Sequence, residues 1–193
     1  MDTYEPDTSL DARTILPSEG VSARWLAALD RIERSKAADP VIQKLQGAIR
    51  SLPLDAARDL LHGRPLGHPL HPVLVQVPIG CWLSAAVMDV MPAGQRAATT
   101  LTAVGLAGIA PAAITGWVDW ADLPPEQARV GLAHAVANVT AVAFFAASLT
   151  ARFRHRPAKA RLWSLGGLVA VGVTGALGGH VAYRQAVGAW PAA

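Results

Sequence analysis

Three of the six histidines lie within or beside stretches of sequence that carry almost no charge. His71 begins one such stretch, His134 lies a few residues into another, and His180 lies near the end of a third. Titratable side chains in apolar segments are costly and usually functional. Neutral imidazole is the usual axial ligand of haem b, and helices with facing histidines commonly hold one. The three histidines are therefore candidate haem-iron ligands.

Neighbouring polar residues leave other chemistry open. His68 precedes His71, and Asp119 follows the second apolar stretch. Asn138 lies one turn after His134 on the same helical face, where it can orient a ligand or a bound group. These residues also suit a proton relay, a hydrogen bond to a quinone, or a divalent metal held by two or three histidines with Asp119. No His-x-x-x-His pair favours the metal.

Four apolar stretches must position these residues. Each has about 20 residues, enough for a helix to cross a hydrocarbon core of about 30 Å. The predicted spans are residues 71–90, 97–118, 130–151 and 162–183. Helices satisfy their own backbone hydrogen bonds in lipid, so we expect an all-α, four-helix transmembrane bundle in contact with membrane lipid. An even number of spans brings the candidate residues to one end of the bundle.

Small residues recur at helical spacing in two spans. They are Gly108, Ala112 and Gly116 in the second span, and Gly172, Gly175 and Gly179 in the fourth. Such rows either form flat walls for a porphyrin or let helices pack directly on one another. Five tryptophans near the span ends are expected to belong to the membrane-interface belt. They are Trp82, Trp117, Trp120, Trp163 and Trp190.

Composition separates the spans from a polar arm. The chain is 52% hydrophobic and only 16% charged, yet residues 1–66 are polar and residues 67–193 form the expected membrane domain. Amphipathic helices are predicted near residues 21–32, 40–49 and 54–61. We expect Asp39 to be the N-cap of the second. The arm can lie on the membrane surface, pack on a partner, or fold over the helix ends.

Charge and cysteine content exclude several classes of function. The net charge of +3 arises mainly from residues 152–161, which contain five basic residues between two spans. Such a loop is typical of the cytoplasmic side, so nucleic-acid binding is not expected. Arg58 and Arg64 lie just before the first span and favour the opposite orientation. The absolute orientation is therefore left open. A single cysteine, Cys81, excludes a disulfide framework or an iron–sulfur cluster held within the chain.

Several segments resemble the DUF2231 family of bacterial four-span membrane proteins. They are GHPLHPVLVQVPIG at 67–80, GWVDW at 116–120, the stretch 134–138, and GGHVAY at 178–183. The likeness covers about residues 60–188. One departure is Gln76, because many members have a second histidine five residues after the first. The resemblance implies a multi-pass protein of the bacterial plasma membrane.

The same region resembles the membrane part of actinobacterial chains in which this domain precedes a Rieske-type iron–sulfur domain. That association implies redox work with a Rieske-type or cytochrome partner.

Two classes of function fit these observations. The first is a haem-b-binding electron-transfer component that works with a redox partner and a possible quinone. The second is a cofactor-free scaffold or assembly subunit, or a small transporter. Polar groups gathered at one end weigh against a permeation path. No nucleophile–base pair, Walker loop or dinucleotide fingerprint is present in context, so a redox carrier or membrane subunit is favoured over a stand-alone enzyme.

Overall fold

The computed structural model describes residues 21–180, which are helical throughout apart from short connections. The arm contains three helices, which are α1 (Val21–Arg34), α2 (Asp39–Arg50) and α3 (Asp55–Leu61). Short 3-10 turns cover Lys36–Ala38 and Arg64–Leu66. The three arm helices lie where the periodicity predicts them.

Four apolar segments follow, each long enough to cross a membrane. The first comprises α4 (His71–Leu74) and α5 (Gln76–Val90), and the others are α6 (Gln95–Ala121), α7 (Pro125–Phe153) and α8 (Pro157–Gly179). The all-α, four-span architecture is confirmed, and the protein is a multi-pass membrane protein. The predicted end of the fourth span, at residue 183, lies outside the described residues.

Proline interrupts the first span. Pro78 lacks the N–H that would bond to the carbonyl of Leu74, and α4 ends at Leu74. Pro72 occupies the second helical position, and His71 is the first residue after the N-cap Leu70. The His71 ring is therefore held at the start of the span.

The spans pack as two antiparallel hairpins, α5 with α6 and α7 with α8, that lie against each other. Between the bundle ends, Trp82 of α5 stacks on Phe145 of α7 with ring centres 3.9 Å apart. The prediction that Trp82 belongs to the interface belt is wrong, because its side chain is buried in this stack. Trp120 is buried too, where its indole N–H donates to the Ala128 carbonyl.

The outward faces of the spans are apolar and unpacked. Val139 is 70% exposed and Val169 is 71% exposed, and similar side chains line every span. Such faces are stable in hydrocarbon, so they are the surfaces that contact lipid.

The arm folds over one end of the bundle, which selects one of the three placements left open by the sequence. Leu29 of α1 packs with Val130 and Leu177, and Ile42 of α2 packs with Trp120 and Ala128. These apolar contacts bury the inner face of the arm helices against α6, α7 and α8.

Polar side chains of α2 also cap the last turn of α6. The Gln46 amide donates to the carbonyls of Trp120 and Leu123 at 3.2 and 3.0 Å, and Arg50 Nε donates to the Ala121 carbonyl at 2.9 Å. The final carbonyls of a helix have few partners within it, and the side chains of α2 supply bonds there, although the Trp120 carbonyl also accepts from the Leu123 N–H at 3.2 Å.

Asp39 plays a different part from the one predicted. It is the first residue of α2 rather than its N-cap, and it makes no capping bond. Its carboxylate instead accepts two bonds from Arg129 of α7, from Nε at 2.7 Å and Nη2 at 2.8 Å. This bidentate pair fastens α2 to the first turns of α7.

Candidate functional site

His71 and His134 meet across the bundle, one from each helical hairpin. Their ring centres are 6.4 Å apart and their planes are nearly perpendicular, at 87°. Both rings lie near the end of the bundle that the arm covers. We call these two residues the histidine pair. The convergence predicted from the even number of spans holds for them.

Backbone carbonyls fix the tautomer of each ring. His71 Nδ1 lies 2.7 Å from the Ala112 carbonyl oxygen, and His134 Nδ1 lies 2.9 Å from that of Thr174. A carbonyl only accepts, so each Nδ1 carries the proton and each Nε2 carries the lone pair. Metal-binding histidines usually have this arrangement, in which one nitrogen is anchored and the other is a potential ligand.

Asn138 occupies the lone pair of one ring. Its amide nitrogen lies 2.8 Å from His134 Nε2 and donates to it. Both nitrogens of His134 are therefore hydrogen-bonded, whereas His71 has its anchor only at Nδ1. The role expected of Asn138, to orient a ligand or a bound group, stays a prediction.

Two glycines make room for the imidazole rings. A Cβ atom on Gly116 would lie 2.8 Å from His71 Nδ1, and one on Gly178 would lie 3.1 Å from His134 Cε1. Gly172 and Gly175 have no heavy atom within 4 Å of such a Cβ position. Of the glycines in the two predicted rows, Gly116 lies against a histidine ring and Gly108 lies against Val77, whereas Gly172 and Gly175 meet nothing, so the rows do not act as continuous close-packed walls.

Asp119 pairs with a histidine that the sequence analysis overlooked. His62, at the end of α3, places Nδ1 2.7 Å from Asp119 Oδ1 and Nε2 3.3 Å from Asp122 Oδ2. The even number of spans is a signal for this pairing, because it places α3 and the end of α6 on the same side of the membrane.

His180 and His68 are not part of the histidine pair. His180 is buried, and its Nε2 lies 2.6 Å from Glu33 Oε1 of α1. His68 lies in the exposed segment before the first span, with Nδ1 3.3 Å from the Pro69 carbonyl oxygen. His180 therefore ties α8 to the arm, and His68 has no contact with the other candidate residues in the described structure.

A family model described as "Predicted membrane protein (DUF2231)" matches residues 67–191. The chain belongs to the DUF2231 family. No curated protein and no solved structure matches the chain.

The DUF2231 region contains the histidine pair, Asn138 and Asp119, whereas Glu33 and His62 precede it. The arm thus adds its own polar groups to one end of the family domain.

A second buried polar group lies at the opposite end of this DUF2231 domain. Arg152 donates from Nη1 and Nη2 to both oxygens of Asp89, at 2.8 and 2.6 Å, and also reaches Ser164 at 3.3 Å. The side chains of Arg152 and Asp89 are only 1% and 5% exposed. Arg152 belongs to the basic segment 152–161, and the sequence alone does not predict its pairing with Asp89.

A metal site with three or more protein ligands is not formed by the described residues. Across residues 21–180, no three His, Cys, Asp or Glu side chains converge in a way that could hold a metal ion. The idea of a divalent metal held by histidines and Asp119 therefore has no support from this geometry. Haem differs, because the porphyrin supplies four ligands and the protein needs only one or two.

Proposed function

We propose that this DUF2231 protein is a membrane electron-transfer subunit in which His71 and His134 bind the iron of haem b. The observation that carries the proposal is the histidine pair, in which two anchored imidazoles from separate hairpins face each other at 6.4 Å. The rest of the subunit holds these rings in place.

If haem b binds between the two hairpins, His71 and His134 would hold its iron through their Nε2 nitrogens, because imidazole is the usual protein ligand of haem b. The carbonyls of Ala112 and Thr174 hold both Nδ1 atoms and leave each Nε2 as the ligand atom. His180 is a weaker candidate because Glu33 already engages it.

Binding requires one local rearrangement. The Asn138 amide must leave His134 Nε2, which lies one helical turn away on the same face. Gly116 and Gly178 keep the histidine rings close to the α6 and α8 backbones, so the chain limits how far either ring can move.

When bound, haem b would supply a one-electron redox couple. His62, Asp119 and Asp122 form a polar cluster where the arm meets the end of α6, and we propose that a partner docks at this end. The proposed partner is a Rieske-type or cytochrome redox protein, with a quinone as a possible second reactant.

Haem retention in histidine variants tests this proposal. The full chain is produced in haem-replete cells, and haem per protein is measured after purification. We expect His71→Ala and His134→Ala to lose bound haem, whereas His180→Ala and the exposed-loop control His155→Ala keep it. Equal retention by all four variants, or a haem-free wild type, would refute the assignment.

A cofactor-free scaffold is the second candidate, and a specific observation favours it. Asn138 already satisfies His134 Nε2, and three polar contacts lock the arm to the bundle: Asp39 with Arg129, Glu33 with His180, and His62 with Asp119. A scaffold would tolerate His71→Ala in a growth or assembly assay but fail when the arm is released by Asp39→Asn with Glu33→Gln. An electron carrier would fail in the same assay with His71→Ala but tolerate release of the arm.

The transporter alternative has less support. Between the two polar ends, the Trp82–Phe145 stack fills the space between α5 and α7. A permeation path needs polar groups near the middle of the membrane, and this stack is apolar.

A further inference from the structure

A groove lined by basic side chains lies between the end of α7 and the start of α8, at the bundle end opposite the histidine pair. Its volume is about 290 Å³. Three cations line it, Arg154, Arg156 and Lys159, and the rest of the lining is Ala147, Thr150, Ala151 and Trp163. We call this feature the basic groove.

The three cations of the basic groove lack a carboxylate partner in the part of the chain that the structure describes. Within residues 21–180, no carboxylate forms an ion pair with Arg154, Arg156 or Lys159. Arg152 differs from them, because it turns inward and is neutralised by Asp89. Three like charges around one groove repel each other, so an anion that binds among them is stabilised by all three.

The groove continues from the basic loop onto an apolar surface. Trp163 packs on Phe144 with ring centres 5.7 Å apart, and Gly166 lies directly against the Phe144 ring. Phe153 and Leu162, both 67% exposed, flank the loop at the same level. Exposed apolar side chains beside cations mark the boundary between the hydrocarbon and the headgroups.

We propose that the basic groove binds the phosphate-bearing headgroup of an anionic phospholipid, with an acyl chain along Trp163 and Phe144. Basic pockets between membrane helices are known to hold anionic lipid headgroups. A free phosphate ion would use only the cations, whereas a lipid also uses the apolar surface below them.

Lipid titration by native mass spectrometry tests the proposal on the full chain in detergent. Phosphatidylglycerol and phosphatidylcholine are compared for the wild type and for Arg154→Gln/Arg156→Gln/Lys159→Gln. The matched control removes three exposed cations from the arm, in Arg24→Gln/Arg31→Gln/Lys44→Gln. We expect phosphatidylglycerol binding to weaken at least about tenfold in the loop variant and to be unchanged in the control.

A groove-filling variant separates a defined site from general attraction to positive charge. Ala147→Trp fills the groove without changing its charge, and we expect it to weaken phosphatidylglycerol binding as well. Arg154→Gln alone provides a milder variant if the triple variant fails to fold by circular dichroism and gel filtration. It should show a smaller loss of the same kind.

Three results would overturn the proposal. One is equal binding of phosphatidylglycerol and phosphatidylcholine by the wild type. Another is unchanged phosphatidylglycerol binding in both Ala147→Trp and the loop variants. The third is displacement of phosphatidylglycerol by an equimolar amount of inorganic phosphate, which would show a phosphate site that does not use the acyl chain.

Discussion

His71 and His134 face each other edge to face, with ring centres 6.4 Å apart, and each ring donates from Nδ1 to a backbone carbonyl. The two residues come from different hairpins, so their contact links the halves of the bundle. The contact between the two rings and the glycine packed against each of them distinguish this pair from the other histidines.

The bond between Asn138 and His134 makes the first prediction. Asn138→Ala leaves His134 Nε2 without its donor, and an unsatisfied buried polar group costs about 1–3 kcal/mol. We expect the haem-free protein to be destabilised by that amount, and the haem-bound protein to be unaffected because Nε2 is then an iron ligand. Thermal unfolding of both forms measures the difference, with the exposed Thr140→Ala as control. Equal destabilisation of both forms would show that Asn138 stays on His134.

Glycines near and far from the histidines form a matched pair for the second prediction. In Gly116→Ala the new methyl group would lie 2.8 Å from His71 Nδ1, whereas in Gly175→Ala it meets nothing within 4 Å. We expect Gly116→Ala to displace the ring, lower stability by about 1–3 kcal/mol and reduce haem binding. Gly175→Ala should be neutral or stabilising by up to about 1 kcal/mol. Chemical unfolding and haem titration measure both effects, and similar behaviour of the two variants would contradict the packing described for His71.

Docking of the arm should depend on pH through Asp39. Bonds from Arg129 lower the pKa of Asp39 below its usual value of 3.8. A lowered pKa in the folded state means that the contact stabilises the docked arm above about pH 4, and that this stabilisation is lost as the pH falls through the lowered pKa. Hydrogen exchange in α2, corrected for the intrinsic rate at each pH, should show that loss.

Two variants check the assignment of this pH effect. Asp39→Asn should have weaker protection of α2 at neutral pH and no further loss in the acid range. Asp59→Asn breaks only an exposed pair with Arg64, so its profile should match the wild type. An acid transition that persists in Asp39→Asn would assign it to another group.

The pair formed by Asp89 and Arg152 should behave as a buried unit. Removing one partner leaves an uncompensated buried charge, so Asp89→Leu or Arg152→Met should each cost about 3–5 kcal/mol. The double variant should recover most of that loss, because two apolar side chains replace the pair. Unfolding in mixed micelles completes this double-mutant cycle, with Arg154→Met as the control for loss of one loop charge. Additive losses in the double variant would show that the two residues do not act together.

Much of the architecture follows from the sequence because lipid imposes strict rules. Charge-free stretches of the right length predict the four spans, and their even number predicts that His71 and His134 share one end. These predictions need only the composition of each stretch and the fact that successive spans cross the membrane in opposite directions.

Side-chain pairing at the span ends could not be predicted in the same way. His62 with Asp119, and Arg152 with Asp89, depend on the rotation of each helix about its axis, which packing decides. Trp82 likewise lies inward rather than at the interface, because Gly105 of α6 leaves room for its indole ring. His180 is at the expected end but is directed toward Glu33 of the arm.

The optical spectrum of the purified full chain, recorded oxidised and then reduced, tests the central claim most directly. If the histidine pair binds haem b, the wild type carries a Soret band that shifts on reduction, and both His71→Ala and His134→Ala alter or lose it. A colourless wild type from haem-replete cells, which also fails to take up added haem, would contradict the account.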